Sequence, residues 1–403
     1  MSISLATPSL GPLRSATITS AAVRAWLHPR ITQATASGAV EGRGDGERHT
    51  IHSYFVTCPE SPDARHVVFF ASTTAEAHHG DIVLHERATG RETILARGVT
   101  TEDAHRAACQ QWIGRHHVAF HDFRDGRWVV AAVDTRTGRE RILAADRLLG
   151  FGSPTQPWVP VYGRHWQPGP HRNVELIHVE TGEVRTALTS SQLVAAYPAE
   201  VEELLGPDAA SADLSLFFPV LSPDATRAMI KLSRASGLAD FRSNAASRRE
   251  GRWVYDFEQQ RFLSFARQWG HPSWTPDSAG IFNKGNELTV LAASDGTEHV
   301  PIKFATGSPN DHPSVSPESN VFVTDGSLAK FDTGRPGEWG IVIGSLEAGV
   351  DEFATIHRFN HAQGAASWRK VHPHPAFSAD GRRVYFNVSD GRWTRLWVAE
   401  RSA

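Results

Sequence analysis

Five times the chain carries the same short punctuation: Ser61-Pro62-Asp63, Ser222-Pro223-Asp224, Thr275-Pro276-Asp277, Ser316-Pro317-Glu318 and Ser378-Ala379-Asp380. Each is followed by an alternating apolar run, such as His66-Val67-Val68-Phe69-Phe70 or Arg383-Val384-Tyr385-Phe386. Two further runs, Val118-Ala119-Phe120 and Val159-Pro160-Val161-Tyr162, lack the tripeptide and bring the units to seven. A second strand and a tight turn follow the runs, at Arg87-Ala88-Thr89-Gly90, Asp134-Thr135-Arg136-Thr137-Gly138, Glu180-Thr181-Gly182 and Ser294-Asp295-Gly296, with glycine supplying the positive φ of a hairpin turn. Short strands recurring roughly every 40 to 60 residues predict an all-β chain, a seven-bladed β-propeller with four-stranded blades. The spacing assigns 1–36 to a partly helical N-terminal extension and 37–403 to the propeller. Helical pattern is confined to the surroundings of Ala16–Trp26 and to Ser190–Leu205, where Tyr197-Pro198-Ala199-Glu200 opens a short helix ahead of the fourth blade.

At 403 residues the chain suits one large all-β domain. Forty-one basic against 44 acidic residues leave none of the basic excess that a non-specific nucleic-acid binder needs. No leader pattern and no run of about 18 apolar residues is present, so neither export nor a membrane partner is expected. Cys58 and Cys109 alone form no disulfide framework, which fits a reducing cytoplasm.

The turn marker is explained by the blade, so chemistry is sought just before it, on the strand that faces the axial channel. Four positions ahead of three successive markers stand His271, His312 and His374, and His372 lies two residues before His374 on the same face of an extended segment. Imidazoles converging on one axis are ligands for manganese, zinc or a related divalent ion.

The segment His372-Pro373-His374-Pro375-Ala376-Phe377-Ser378, followed by Asp380-Gly381, resembles the last-blade signature of bacterial oligogalacturonate lyases, and His271-Pro272-Ser273-Trp274-Thr275-Pro276-Asp277 is similar to their other metal-ligand blade. That family is built on seven-bladed propellers and holds a manganese ion with three histidines and a glutamine. The resemblance therefore implies His271, His372 and His374 as ligands of a divalent metal, manganese by the family, with zinc or calcium as alternatives. Two positions depart from the pattern. Arg369 stands where the family has its glutamine, so Gln363, Gln110 or His312 would have to substitute; Lys231-Leu232-Ser233 stands where the family's catalytic histidine lies. In the first half, His105, His121, Tyr162 and Arg172 follow the chain order of two histidines, a tyrosine and an arginine in propeller-type ulvan lyases, and the resemblance implies them as catalytic residues.

Such a lyase removes the C5 proton of a uronic acid and breaks the bond from C4 to oxygen. A cation must neutralise the neighbouring carboxylate, for which Arg172, Arg242, Arg369 and Lys231 are the candidates; Arg242, Arg369 and Lys231 are taken as substrate contacts. A histidine or tyrosine tuned by a nearby cation serves as base or acid, with His121 and Tyr162 foremost. Trp112, Trp158, Trp166, Trp274 and Trp368 are expected chiefly between blades, and secondarily as sugar platforms. The expected partner is an acidic oligosaccharide. The competing expectation is a non-catalytic propeller that binds a glycan or protein; a serine-peptidase propeller lacks its GxSxG elbow here.

Overall fold

A computed structural model describes residues 18–35, 47–208, 214–283, 287–291, 296–303, 311–328, 335 and 337–402. Ala16, and Ser294 and Asp295 of the expected fifth-blade turn, lie outside the described residues.

Seven antiparallel four-stranded sheets make up the chain, the expected seven-bladed propeller. From axis to rim, blade one comprises His49–Ile51, His66–Ser72, His79–Glu86 and Glu92–Thr100, and blade two Gln111–Ile113, His117–Arg124, Arg127–Asp134 and Arg139–Ala145. Blade three comprises Arg147–Leu149, Trp158–Gly163, Val174–His178 and Val184–Leu188; blade four comprises Leu214–Leu221, Arg227–Ala235, Ser247–Asp256 and Arg261–Ala266. Blade five is Ser273–Trp274, Gly280–Phe282, Glu287–Leu291 and Glu298–Lys303, and blade six is Ser314–Val315, Val321–Ser327, Glu338–Ser345 and Phe353–Asn360. Ala376–Phe377, Arg383–Val388 and Arg395–Glu400 belong to blade seven.

The outermost strand of blade seven is Arg30–Gln33, which pairs antiparallel with the third, Arg30 opposite Glu400. The segment 1–36 thus supplies a blade strand in addition to a helical turn, Ala21–Arg24, and the propeller begins before residue 37. Its pairing partner lies about as far away along the chain as possible, beyond the reach of any local pattern. Blade one also grips blade seven directly. The buried Glu60 carboxylate accepts from Arg383 Nε at 2.7 Å and Nη2 at 3.0 Å, and from the Tyr385 hydroxyl.

The punctuation works as a hydrogen-bonded staple. Ser61 Oγ donates to Asp63 Oδ1 at 2.6 Å and accepts from the His66 amide at 3.0 Å, and the same pair of bonds recurs from Ser222, Thr275 and Ser378. The residue three after each marker takes a left-handed φ: 60° at Ala64, 58° at Ala225, 62° at Ser278 and 60° at Gly381. Only the last is the residue type that adopts it without strain, so the staple outweighs a cost of about 1–2 kcal/mol at the others.

Between blades the alternating runs interlock. Val68, Phe70, Ile82 and Leu84 of blade one pack with Trp112, Val118, Phe120, Ala131 and Val133 around blade two. Trp112 Nε1 donates to the Pro59 carbonyl at 2.8 Å and Trp274 Nε1 to the Val220 carbonyl at 3.1 Å, which fixes both as links between neighbouring blades. Ser190–Ala196, with a Thr189 capping box, and Pro198–Leu205, with proline at its start, form the two helices ahead of blade four. No helix among the described residues is long and apolar enough to cross a membrane.

Because strand direction alternates across each blade, outer-to-inner and second-to-third connections open on one face of the ring. The candidate residues gather on that face.

Candidate metal centre and cationic cleft

Four residues before the turn marker, the backbone passes through a left-handed residue followed by proline: φ is 50° at His271 and 48° at His374, just ahead of the inner strands, and 59° at Phe218, at an irregularity within the inner strand of blade four. Since Phe218 shares the conformation, it belongs to the blade architecture. Such strain persists only where the surroundings over-determine it.

Four imidazoles converge at the axis. His105 comes from the short turn Ala104–Arg106 between blades one and two, His312 precedes blade six, and His372 and His374 precede blade seven; one nitrogen from each lies within 4.8 Å of every other. His312 Nδ1 donates to the Asp325 carboxylate at 2.9 and 3.0 Å, and His105 Nδ1 to the Lys370 carbonyl at 2.5 Å. A carbonyl or carboxylate only accepts, so both rings carry the proton on Nδ1 and present an Nε2 lone pair, the tautomer that metal-binding histidines receive from such partners. The buried nitrogens His312 Nε2, His372 Nδ1, and both nitrogens of His374 have no hydrogen-bond partner among the described residues. Burial pushes the His372 imidazole down to about 3, helped by repulsion from His312, and holds His105 and His374 well below the usual histidine range. Orphaned, neutral, convergent nitrogens are costly unless something accepts their lone pairs, and a transition-metal ion does so. Calcium, which takes oxygen ligands, does not suit this donor set.

His271, expected as a ligand, stands beside the group. Its ring centroid is 4.6 Å from that of His312 and its Nδ1 is 3.9 Å from Asp311 Oδ1, while His105 fills the remaining place around the centre. Of the glutamines weighed as substitutes, Gln110 donates to the Ile51 carbonyl at 2.8 Å and Gln363 is exposed.

Against this centre opens a cleft of about 270 Å³, lined by Tyr54, Arg106, Phe217, Phe218, Lys231, Asn244, Arg249, Trp269, His271 and Arg369. Tyr54 joins the two, its ring 4.7 Å from that of His374. Four cationic side chains and four aromatic rings face one space. Arg106 pairs with Glu102 at 2.9 Å and Arg369 with Asp103 at 2.9 Å. Lys231 and Arg249 have no carboxylate partner within ion-pair distance among the described residues; Lys231 Nζ lies 5.3 Å from the Trp269 ring centre and the Arg249 guanidinium 5.6 Å from that of Phe217. Burial, reinforced by Arg249, pushes the Lys231 amine down to about 7. Through Arg249 and Asn244 the cleft adjoins an open depression of about 530 Å³ that also carries Arg234 and Arg248.

The other expected residues fall elsewhere. His121 and Tyr162 are fully buried behind Arg106, within a network in which Glu102 binds Arg106 and accepts from His165 Nε2 at 2.9 Å, and His165 Nδ1 meets Ser247 Oγ at 2.6 Å. Burial pushes the His121 imidazole down to about 4 and Tyr162 well above the usual phenol range. Neither is among the described residues lining the cleft. Arg172, on the second-to-third connection of blade three, donates to the Gly169 carbonyl at 2.9 Å. Arg242 donates to the Thr101 carbonyl at 2.8 Å and stacks on Phe241, which itself stacks on Trp166. The structure therefore brings Lys231, Arg369 and His271 to the cleft, and His105, His312, His372 and His374 to the centre. Sequence reasoning passed over Arg106, Arg249 and Trp269. Trp269 had a usable signal, two residues ahead of a His-Pro motif; the arginines, one in a short turn and one on a strand, had none.

No family model and no curated protein matches the sequence. Solved structures do match. An oligogalacturonate lyase from Vibrio parahaemolyticus is 14% identical, with a TM-score of 0.58 over 92% of this chain and 93% of that one. An oligogalacturonate lyase in complex with manganese is 15% identical, with a TM-score of 0.56 over 93% of each chain. The β-propeller domain of Myceliophteria thermophila Cps50 (Swd1) is 10% identical, with a TM-score of 0.50 over 88% of this chain and 99% of that one. At these identities the likeness is one of fold.

Proposed function

We propose that the chain is a lyase that cleaves uronic-acid oligosaccharides by β-elimination, with a divalent transition metal, manganese or zinc, held by His105, His312, His372 and His374. The observation that carries this reading is a half-buried cationic cleft, walled by aromatic rings, whose Arg249 lacks a carboxylate partner among the described residues and which opens against four convergent imidazoles, three of them with unsatisfied nitrogens. Buried uncompensated charge is expensive, and a ligand bearing a carboxylate relieves it. Aromatic rings suit the apolar faces of a sugar. The likeness to oligogalacturonate lyase folds supports the same direction.

Held by His105, His312, His372 and His374, a divalent ion would supply Lewis acidity toward a substrate carboxylate. Arg249 and Arg369 orient that carboxylate by charge-assisted hydrogen bonds, and Trp269 with Tyr54 shields the reacting atoms from water. Purified protein given a panel of uronic-acid oligosaccharides is expected to raise the ultraviolet absorbance of a C4–C5 unsaturated uronate, and a chelator is expected to abolish the rise. A flat trace across the panel from metal-loaded protein, with binding of the same oligosaccharides seen by calorimetry, would replace this reading with that of a non-catalytic glycan-binding propeller. Arg249→Ala is expected to lower kcat/KM by about 10- to 100-fold, the 1.5–3 kcal/mol of a hydrogen bond to a charged group, chiefly through KM.

A further inference from the structure

Resting on that reading, we infer that Lys231 is the base that takes the C5 proton. Lys231 sits on the second strand of blade four opposite Phe217, with its side chain in the cleft and its Nζ over Trp269 at 5.3 Å. The charged and titratable groups around it come from every neighbouring element: Arg249 and Glu250 from the third strand of blade four, Arg106 from the turn before blade two, Arg369 from the connection before blade seven, His271 from the connection before blade five, and Tyr54 from blade one. Burial first, and then the guanidinium of Arg249, disfavour the ammonium, whereas Arg106 and Arg369 are each paired with a carboxylate, Glu102 and Asp103.

An ordinary lysine, with a pKa of about 10.4, holds a lone pair in fewer than about one molecule in a thousand at neutral pH. Burial and Arg249 push this one down to about 7, so a large share is free amine, the range in which a general base works best. His121 and Tyr162, the other bases considered, lie behind Arg106 and off the cleft wall. In the step itself, Nζ binds the C5 proton and the C5–H electron pair becomes the C4–C5 double bond. The C4–O bond breaks with its pair on the leaving oxygen, and water supplies that oxygen's proton.

Lys231→Arg tests the assignment, because arginine keeps the cation and gives up the lone pair. Expected is a fall of about 10²- to 10⁴-fold in kcat with KM within a few-fold of wild type and an unchanged melting temperature. In Lys231→Ala, added small primary amines restore turnover, and the more basic free amines restore it further. Wild-type kcat/KM rises with pH through about 7 as the ammonium loses its proton, and the arginine variant loses that limb. Turnover of the arginine variant within a few-fold of wild type would reduce Lys231 to a carboxylate contact and overturn the inference, while leaving the lyase reading intact. A substrate-independent measurement decides the case even if no uronate is turned over. Competitive acylation of Lys231 across pH should follow a midpoint near 7, and a midpoint near 10 would sink the assignment.

Discussion

The His374→Ala variant is expected to lose more than about 100-fold in affinity for manganese or zinc relative to wild type while the propeller stays folded. Weakening even an outer partner of a metal site costs about 10- to 100-fold, and here one of four donors is removed outright. His374 is the member of the group whose two ring nitrogens are both buried and unpartnered, and its ring lies 4.6 Å from that of His105 and 4.7 Å from that of His312. Its removal leaves a cavity but also deletes two unsatisfied polar atoms, so the metal-free variant melts close to the metal-free wild type. Titration calorimetry reads the affinity, and the rise in Tm on adding metal, present in the wild type and absent in the variant, reads the coupling to folding. His271→Ala is the informative companion. Standing beside the centre, it is expected to keep most of the affinity; a variant at position 271 that lost binding as fully as the one at position 374 would return His271 to the ligand set.

Glu102→Ala lowers the stability of the fold by about 3–5 kcal/mol, the cost of leaving a buried ion partner uncompensated. The carboxylate and the Arg106 guanidinium are each 4% exposed and 2.9 Å apart, and His165 shares the second oxygen. Without Glu102, Arg106 adds an unpaired charge to a cleft that already holds Arg249, which has no carboxylate partner among the described residues. Burial alone would raise the Glu102 carboxyl, but Arg106 and the His165 hydrogen bond outweigh it and hold the group well below the usual carboxylate range. The sign of the pH dependence follows: this contribution is complete above the ordinary glutamate value of about 4.3 and drains away as acid brings the pH down toward the folded value. Urea unfolding at neutral pH and at pH near 3 measures it. A wild type and a Glu102→Ala variant that converge in acid support the account, and a constant gap between them refutes it.

The blades were legible because everything that makes them is local. A staple such as Ser222-Asp224-Arg227 closes within five residues, and the alternation of the following strand is written in the same stretch. Arg30–Gln33 was not legible, being four residues of mostly exposed strand whose partner is near the other end of the chain. At the candidate centre the pair His372 and His374, together with His312, showed through the repeat, whereas His105 lies in a short turn that repeats nothing. Lys231 and Arg369 could be named from chemistry, but their meeting with Arg106 and Arg249 brings together two strands of blade four, the turn before blade two and the connection before blade seven. No spacing along one strand encodes the meeting of residues 106, 249 and 369.

The ring has a seam, and the four imidazoles straddle it. Each blade except the seventh is contiguous in sequence and can assemble from near neighbours, but the last hydrogen-bonded ladder must bring Arg30 to Glu400. Such a non-local contact is slow to find, although its entropic cost grows only with the logarithm of the intervening length. His105 enters from the side of blades one and two, and His312, His372 and His374 enter from blades six and seven. The donor set is therefore whole only in a closed ring, and an ion held there at 100 times its dissociation constant favours closure by about 2.7 kcal/mol. Metal uptake would then report on the completion of folding, with an open ring as its silent precursor.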